Sequence, residues 1–363
     1  MPTERPDLTN LPEEVVRYIK SLESELARTR AERVRLPAAR SKPQVIESEQ
    51  DLPLSGELNE PAEPPTSVQV ITVTANGIAK RTARHLYNRQ HRGGMGIFDI
   101  ETEQDDPPAL LTVAEEAQHL LVITNYGRAF RLPVSSIPAK AVRARGESIV
   151  KKLLLGEDET LVALLTDQAQ GYVALLSQSG MVRLLRHHIF GEHMKPGTAL
   201  FDYKQFGTLA GACRSDGDGD LFIATRLGKA IRFSEKSVPP QGTLGIRLAS
   251  NDQSIAITAV KDDSSVFLLS ADGKGTIRTM ESFSANKAPG AGGKIAINSD
   301  HLISALCTDD QEDVLIISGL SKIIRFRLEE IPPKEGVVQG VICMILRADS
   351  PVAACTNPGF SVF

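Results

Sequence analysis

LLVITNYGRAFRL, residues 120–132, decides the fold. A run of apolar β-formers leads into a small polar turn ending in glycine, and a basic residue then opens a second run. A short strand, a tight turn needing Gly at positive φ and a return strand make a β-hairpin. The unit recurs as VQVITVTANGIAKRT (68–82), YVALLSQSGMVRLL (172–185), LFIATRLGKAIRF (221–233) and VFLLSADGKGTIRTM (266–280). A sixth copy, VLIISGLSKIIRF (314–326), has Ser321 where Gly stood. The turn glycines Gly77, Gly127, Gly180, Gly228 and Gly273 stand 45 to 53 residues apart.

Six to eleven residues beyond each later hairpin a Pro-then-Gly segment begins: Pro138…Gly146, Pro196-Gly197, Pro239…Gly242, Pro289…Gly292 and Pro332…Gly340. Such a segment turns the backbone toward a neighbour, so pairing within a unit is more elaborate than a meander. A small sheet with two apolar faces is unstable alone, and radial packing of several buries both. The spacing predicts an all-β, six-bladed, propeller-like array over 67–363, with a solenoid of stacked hairpins as the rival architecture.

Residues 10–36 read as a helix, capped by Asn10 with Glu13 three positions on, and with Val15, Ile19, Leu22 and Leu26 on one face. Pro37 ends the pattern. The stripe is too narrow to stand alone in water, so the helix either docks on the body or pairs as a short coiled coil for self-association or a partner. Residues 37–66, rich in Pro and acids, read as a linker.

The chain has 363 residues, 41% of them hydrophobic, with no apolar run of membrane-spanning length and no signal-peptide pattern at the N-terminus. Cys213, Cys307, Cys343 and Cys355 are scattered, reading as reduced thiols of a cytosolic protein. Asp216 to Asp220 opens like a calcium loop but has Leu227 where the closing Glu belongs. His187, His188 and His193 suggest metal, but adjacent histidines on a strand face opposite ways. No phosphate loop, nucleophile elbow or HExxH motif is present. No metal, cofactor or catalytic residue is expected.

Net charge is −4. The first 66 residues hold 9 Lys/Arg and 13 Asp/Glu, leaving 32 of each from the totals of 41 and 45. The repeats are thus neutral, but their charges alternate by phase. Residues 77–96 contain Lys80, Arg81, Arg84, Arg89 and Arg92 and no acid, whereas acids gather at 99–106, 157–159, 216–220 and 300–313. In a radial array one phase maps to one zone, which predicts a positive zone and an acidic one. A local positive track serves duplex DNA whatever the net charge, since screening confines each charge to about 8–10 Å. With Trp 0 and Tyr 5, stacking on single strands is disfavoured.

The most specific string is Gln90-His91-Arg92-Gly93-Gly94-Met95-Gly96. It resembles the gyrase box, the Gln-Arg-Arg-Gly-Gly-Lys-Gly signature of the DNA gyrase A C-terminal domain, at five of seven positions. His91 and Met95 replace two basic residues. With the hairpins, the resemblance covers roughly 67–363. It implies a β-pinwheel whose strands cross into neighbouring blades, with DNA wrapped on a positive rim and the box required for wrapping. Six units resemble gyrase, while the eroded box leans toward the related topoisomerase IV protein. Read from its residues alone, the box is either an anion cradle of backbone N–H groups with Arg89 and Arg92, or a Gly-rich connector that closes the blade ring.

The resemblance and the basic phases together assign DNA contact to Lys80, Arg81, Arg84, Arg89, Gln90, His91, Arg92, Gly93, Gly94 and Gly96 in the first unit. Arg128, Arg131, Arg143, Arg145, Lys151 and Lys152 follow in the second, then Arg183, Lys229 and Arg232. The expected protein is a free-standing, cytoplasmic, nucleoid-associated module. It binds and bends double-stranded DNA without reading sequence, has no cleavage tyrosine or ATP site, and partners type IIA topoisomerase subunits. The alternative is a protein-interaction scaffold that has lost wrapping, in which Arg89→Ala with Arg92→Ala leaves DNA binding unchanged.

Overall fold

A computed structural model describes residues 19–20, 63–168, 170–285, 288–308 and 312–357. The chain divides into two units, 1–46 and 47–363. Of the first, only Ile19 and Lys20 are described, both helical. The expected pairing role of residues 10–36 lies outside the described residues, as does most of the linker.

The repeats form six four-stranded antiparallel sheets. Each is centred on one predicted hairpin: Val68–Thr74 with Ile78–Ala83, His119–Thr124 with Arg128–Pro133, Tyr172–Ser177 with Met181–Arg186, Asp220–Thr225 with Lys229–Ser234, Ser265–Ser270 with Lys274–Thr279, and Asp313–Ser318 with Lys322–Arg327. The first hairpin strands are almost wholly buried, as in Leu120–Ile123 and Val314–Ile317. Apolar side chains on both faces place such a strand in the middle of a sheet packed on two sides. Each buried Leu or Ile contributes about 1.5–3 kcal/mol.

One strand flanks each hairpin on the inside: Pro108–Glu115, Leu161–Thr166, Leu209–Ser215, Ser254–Val260, Leu302–Thr308 and Pro351–Asn357. These six pack side by side around the ring, the sixth against the first, and line its centre. On the opposite edge lie two-residue outer strands: Ile97–Phe98, Glu147–Ser148, Thr198–Ala199, Thr243–Leu244, Lys294–Ile295 and Val341–Ile342. Each outer strand comes from the unit that follows: Glu147–Ser148 pairs with the first blade, Val341–Ile342 with the fifth. Ile97–Phe98 of the first unit pairs with the sixth blade and closes the ring, which excludes a solenoid.

A device in the turns repeats through the array. Thr74, Thr124, Ser177, Thr225 and Ser318 end a first hairpin strand, and each hydroxyl oxygen accepts the N–H four residues on. The residue between, three past the hydroxyl, has positive φ: Gly77, Gly127, Gly180, Gly228, and Ser321 at φ 63°. The backbone at Ser321 therefore keeps the geometry that glycine has elsewhere, against the steric preference of an L side chain.

Candidate nucleic-acid interface

Each outer strand is delivered by a connector, and a glycine stands immediately before it: Gly96, Gly146, Gly197, Gly242, Gly293 and Gly340. The third glycine of the box is therefore one of six equivalent positions. At Gly96 φ is +69°, and a Cβ would lie 2.6 Å from the Ile323 carbonyl oxygen, so only glycine lets this strand reach the sixth blade.

The rest of the box, the exposed Met95 apart, is turned inward. The N–H groups of Gln90 and Gly93 donate to the carbonyls of Arg325 and Cys343, and that of Gly94 to His91. Arg92 is 2% exposed. Its backbone N–H donates to the Glu330 carboxylate and its guanidinium to the carbonyls of Glu330 and Ile342. Arg89 lies 3.0 Å from Asp313, and His91 Nδ1 3.2 Å from Glu330. The anion-cradle expectation is corrected on this geometry: the N–H groups of Gln90 and Gly93 and the charge of Arg89 serve the contact between the first and last units, and the Gly94 N–H closes a turn within the first.

Three other assigned cations are also interior. Lys80 Nζ sits 2.8 Å from Asp99 Oδ1 and donates to the carbonyls of Asp99 and Ala141. Asp99 further accepts from Thr72 and Tyr87. Burial pushes the Lys80 ammonium down, and Asp99 opposes this. Arg84 meets Glu63. Arg232 meets Asp220 and Asp262 and donates to the carbonyls of Met280 and Phe283. A phosphate cannot reach Lys80, Arg84, Arg92 or Arg232 without unpacking the blades.

The pattern is a seam clasp. The fourth residue of the second hairpin strand is Arg81, Arg131, Arg232 or Arg325 in four blades. Three of these donate to carbonyls in the turn that opens the next unit's connector: Arg81 to Ile137, Arg232 to Met280 and Arg325 to Tyr87. Arg131 acts through Asp167, on which His187 Nε2 also lies at 2.6 Å. His187 belongs to a short 3-10 turn, not the strand expected for it. Among the described residues no cluster of metal-ligating side chains occurs. In the third and fifth blades the fourth position holds Leu184 and Ile277, and in the fifth Arg278 reaches Lys334 and Gly336 instead.

The expected acidic surface zone is met only in part: Glu101, Glu103, Asp105, Glu157, Asp158, Asp216 and Asp218 are exposed, but other acids of the same runs are not. Asp99, Asp106, Glu159 and Asp313 are buried. They hold Lys80, the Thr74 turn, Arg128 and Arg325 respectively. Basic and acidic phases alternate in the chain partly because they meet inside the protein.

Of the other assigned residues, Arg81, Gln90, Arg128, Arg131, Arg183 and Lys229 are half-buried, and Arg183 donates to the Leu200 carbonyl. Arg143, Arg145, Lys151 and Lys152 are exposed. Arg145 meets Glu103, and Lys152 donates to the Ser136 carbonyl. Lys195, Arg247, Lys294 and Arg347, unassigned from sequence, are also exposed on connectors. The signal that would have found them is a cation within seven residues of the glycine preceding an outer strand.

Residues 69–106, 118–166, 219–267 and 312–334 match the family described as DNA gyrase C-terminal domain, beta-propeller. DNA gyrase A of Mycoplasma pneumoniae is 27% identical over 282 residues, covering 75% of this chain and 34% of that protein. Its counterpart in Staphylococcus epidermidis is 26% identical over 365 residues, covering 94% and 40%. The chain thus spans between a third and two-fifths of the length of these relatives. A solved DNA gyrase A C-terminal domain shares the fold with a TM-score of 0.69 at 20% identity, over 80% of this chain and 99% of that one. A solved C-terminal domain of DNA topoisomerase IV gives 0.57 at 19% identity, over 80% and 93%. The chain thus matches the DNA gyrase A C-terminal domain family in sequence over four of its six hairpin repeats, and shares the fold of a solved member over 80% of its length.

Proposed function

We propose that the disc binds double-stranded DNA along its outer edge without reading base sequence. It bends the duplex as an accessory of a type IIA topoisomerase, with strand cleavage and ATP chemistry lying outside these repeats. The observation that carries this is the set of exposed cations on the connectors: Arg143, Arg145, Lys151 and Lys152, then Lys195, Arg247, Lys294 and Arg347. Contacts of this kind position a backbone and carry no sequence information. Bending 20–30 bp by 40–90° costs about 1–6 kcal/mol, which several phosphate contacts offset.

Band shifts of a long duplex at rising salt test the reading. Each phosphate contact contributes about 0.9 to the log–log salt slope. Replacing Arg143, Arg145, Lys151 and Lys152 together by Ala is expected to flatten that slope by between about 2 and 4. No binding by the intact chain at low salt sinks the proposal. The inward-facing box favours a second reading, a protein-interaction scaffold, under which the fourfold variant binds a type IIA partner normally while DNA contributes nothing. Residues 10–36 as a self-association helix belong to the same proposal, tested by sedimentation of the chain with and without them. The role sits in the cytoplasm on the nucleoid, and among the described residues no helix is long and apolar enough to cross a membrane.

A further inference from the structure

The connectors carry the outer edge of the disc, and they are not alike. Exposed cations occur on the connector edging the first blade (Arg143, Arg145, Lys151, Lys152), the second (Lys195), the third (Lys236, Arg247), the fourth (Lys294) and the fifth (Arg347). The connector edging the sixth blade, residues 84–107, is the one that contains the box. Its cations are Arg84, Arg89 and Arg92, and all are buried or half-buried against Glu63, Asp313 and Glu330. Its fully exposed charges are acids: Glu101, Glu103 and Asp105. Met95 and Phe98 are its exposed large apolar side chains beside the outer strand. On the sixth hairpin itself, Lys322 is half-buried and Arg327 meets Glu329.

We infer that the DNA-contacting edge is an open arc over the first five blades, and that the sixth, which holds the box, is left out of it. This inference rests on the duplex-DNA reading above. Phosphate attraction fades within about 8–10 Å, and Arg145 of the first-blade connector, which reaches this edge, is taken up by Glu103. Phosphates laid over Glu101 and Asp105 would be repelled, and covering Met95 and Phe98 would bring them no counter-charge. A duplex following the edge therefore has two ends at the sixth blade and does not close on itself. The box contributes to DNA binding only by holding the ring in shape.

A matched set of positions tests this. Phe98, Leu244 and Ile295 are each the second residue of an outer strand, on the sixth, third and fourth blades, and are 40%, 36% and 47% exposed. A photo-crosslinking phenylalanine analogue placed at each in turn, in the full chain with an end-labelled long duplex, reads the DNA path directly. Crosslinks from positions 244 and 295, with at least a tenfold lower yield from 98, are the expected result. A yield from 98 equal to the others overturns the open arc while leaving duplex binding intact. Failure to shift the duplex at low salt by any variant and by the unmodified chain removes the duplex-DNA reading, and the inference with it. A second arm replaces Met95 by Ala, which is expected to leave affinity and salt slope within twofold of the original; a tenfold loss overturns the inference.

Discussion

The seam between the last and first blades and the seam between the third and fourth do the same mechanical task with opposite means. At the closing seam Arg325 forks between Asp313 and Glu63 and donates to the carbonyls of Arg84 and Tyr87, while Arg92 grips Glu330. At the other, Leu184 stands where the arginine would be, and Glu235 is buried with the Ser215 hydroxyl as its donor. The closing seam joins parts of the chain more than 200 residues apart, so it depends on groups that recognise each other by direction and charge. Buried ion pairs are poor sources of net stability but can specify one arrangement over another. The third and fourth blades are adjacent in sequence, and their seam does without the arginine that the first-to-second and fourth-to-fifth seams keep.

Breaking the closing seam has the largest expected effect. Arg325→Ala leaves Asp313 and Glu63 without their shared partner and is expected to cost about 3–5 kcal/mol in chemical unfolding. Gly96→Ala strikes the same seam through the backbone and is expected to cost about 1–3 kcal/mol. Both should lower DNA affinity only as far as they lower the folded fraction. Arg89→Ala with Arg92→Ala is accordingly a stability experiment in this protein, and it does not separate the two functional readings.

The two seams should answer pH with opposite signs. Burial raises the Glu63 carboxyl, but hydrogen bonds and charge from Arg325 and Arg84 more than reverse this and hold it below its ordinary value of 4.5. Its contribution is complete above pH 4.5 and lost as pH falls below it. Glu235 is pushed above 4.5 by burial and by Asp218, Asp216 and Asp220, against the Ser215 hydrogen bond. The folded state then holds its proton more tightly than the unfolded one, so stability is fullest below 4.5 and falls as pH rises through the folded value. Unfolding curves from pH 4 to 8 are expected to show Glu63→Gln losing stability at neutral pH and Glu235→Gln gaining it. Curves of the same sign would remove the contrast between the seams.

The smallest effect concerns the sixth hairpin. Ser321→Gly relieves an L residue at positive φ, offset by glycine's greater freedom when unfolded, for a net gain of about 0.5 kcal/mol. A thermal melt checks it, and a loss would mean the Ser321 side chain holds the turn.

The hairpins were legible because strand and turn chemistry are local: Gly127 after Thr124-Asn125-Tyr126 reports its own backbone. The Pro-then-Gly segments announced an excursion, but not that Ile97–Phe98 would travel to the last blade. Cations were legible as a pattern but not by orientation. Arg143 and Arg92 look alike in a basic run, yet one is exposed and the other buried, because orientation depends on what the neighbouring unit presents. Lys195 and Arg347 were overlooked because each stands outside any basic cluster.

The sequence alone determined six copies of a hairpin, their spacing and the residue types of a charged connector, all consequences of short-range steric and apolar preference. Only the tertiary structure decided that the box closes the ring, that Asp99, Asp313 and Glu330 face its cations, and that the sixth blade's edge lacks exposed positive charge. The reason is that an arginine's partner is set by which distant segment lies within about 3 Å of its guanidinium, and no local spacing encodes that distance.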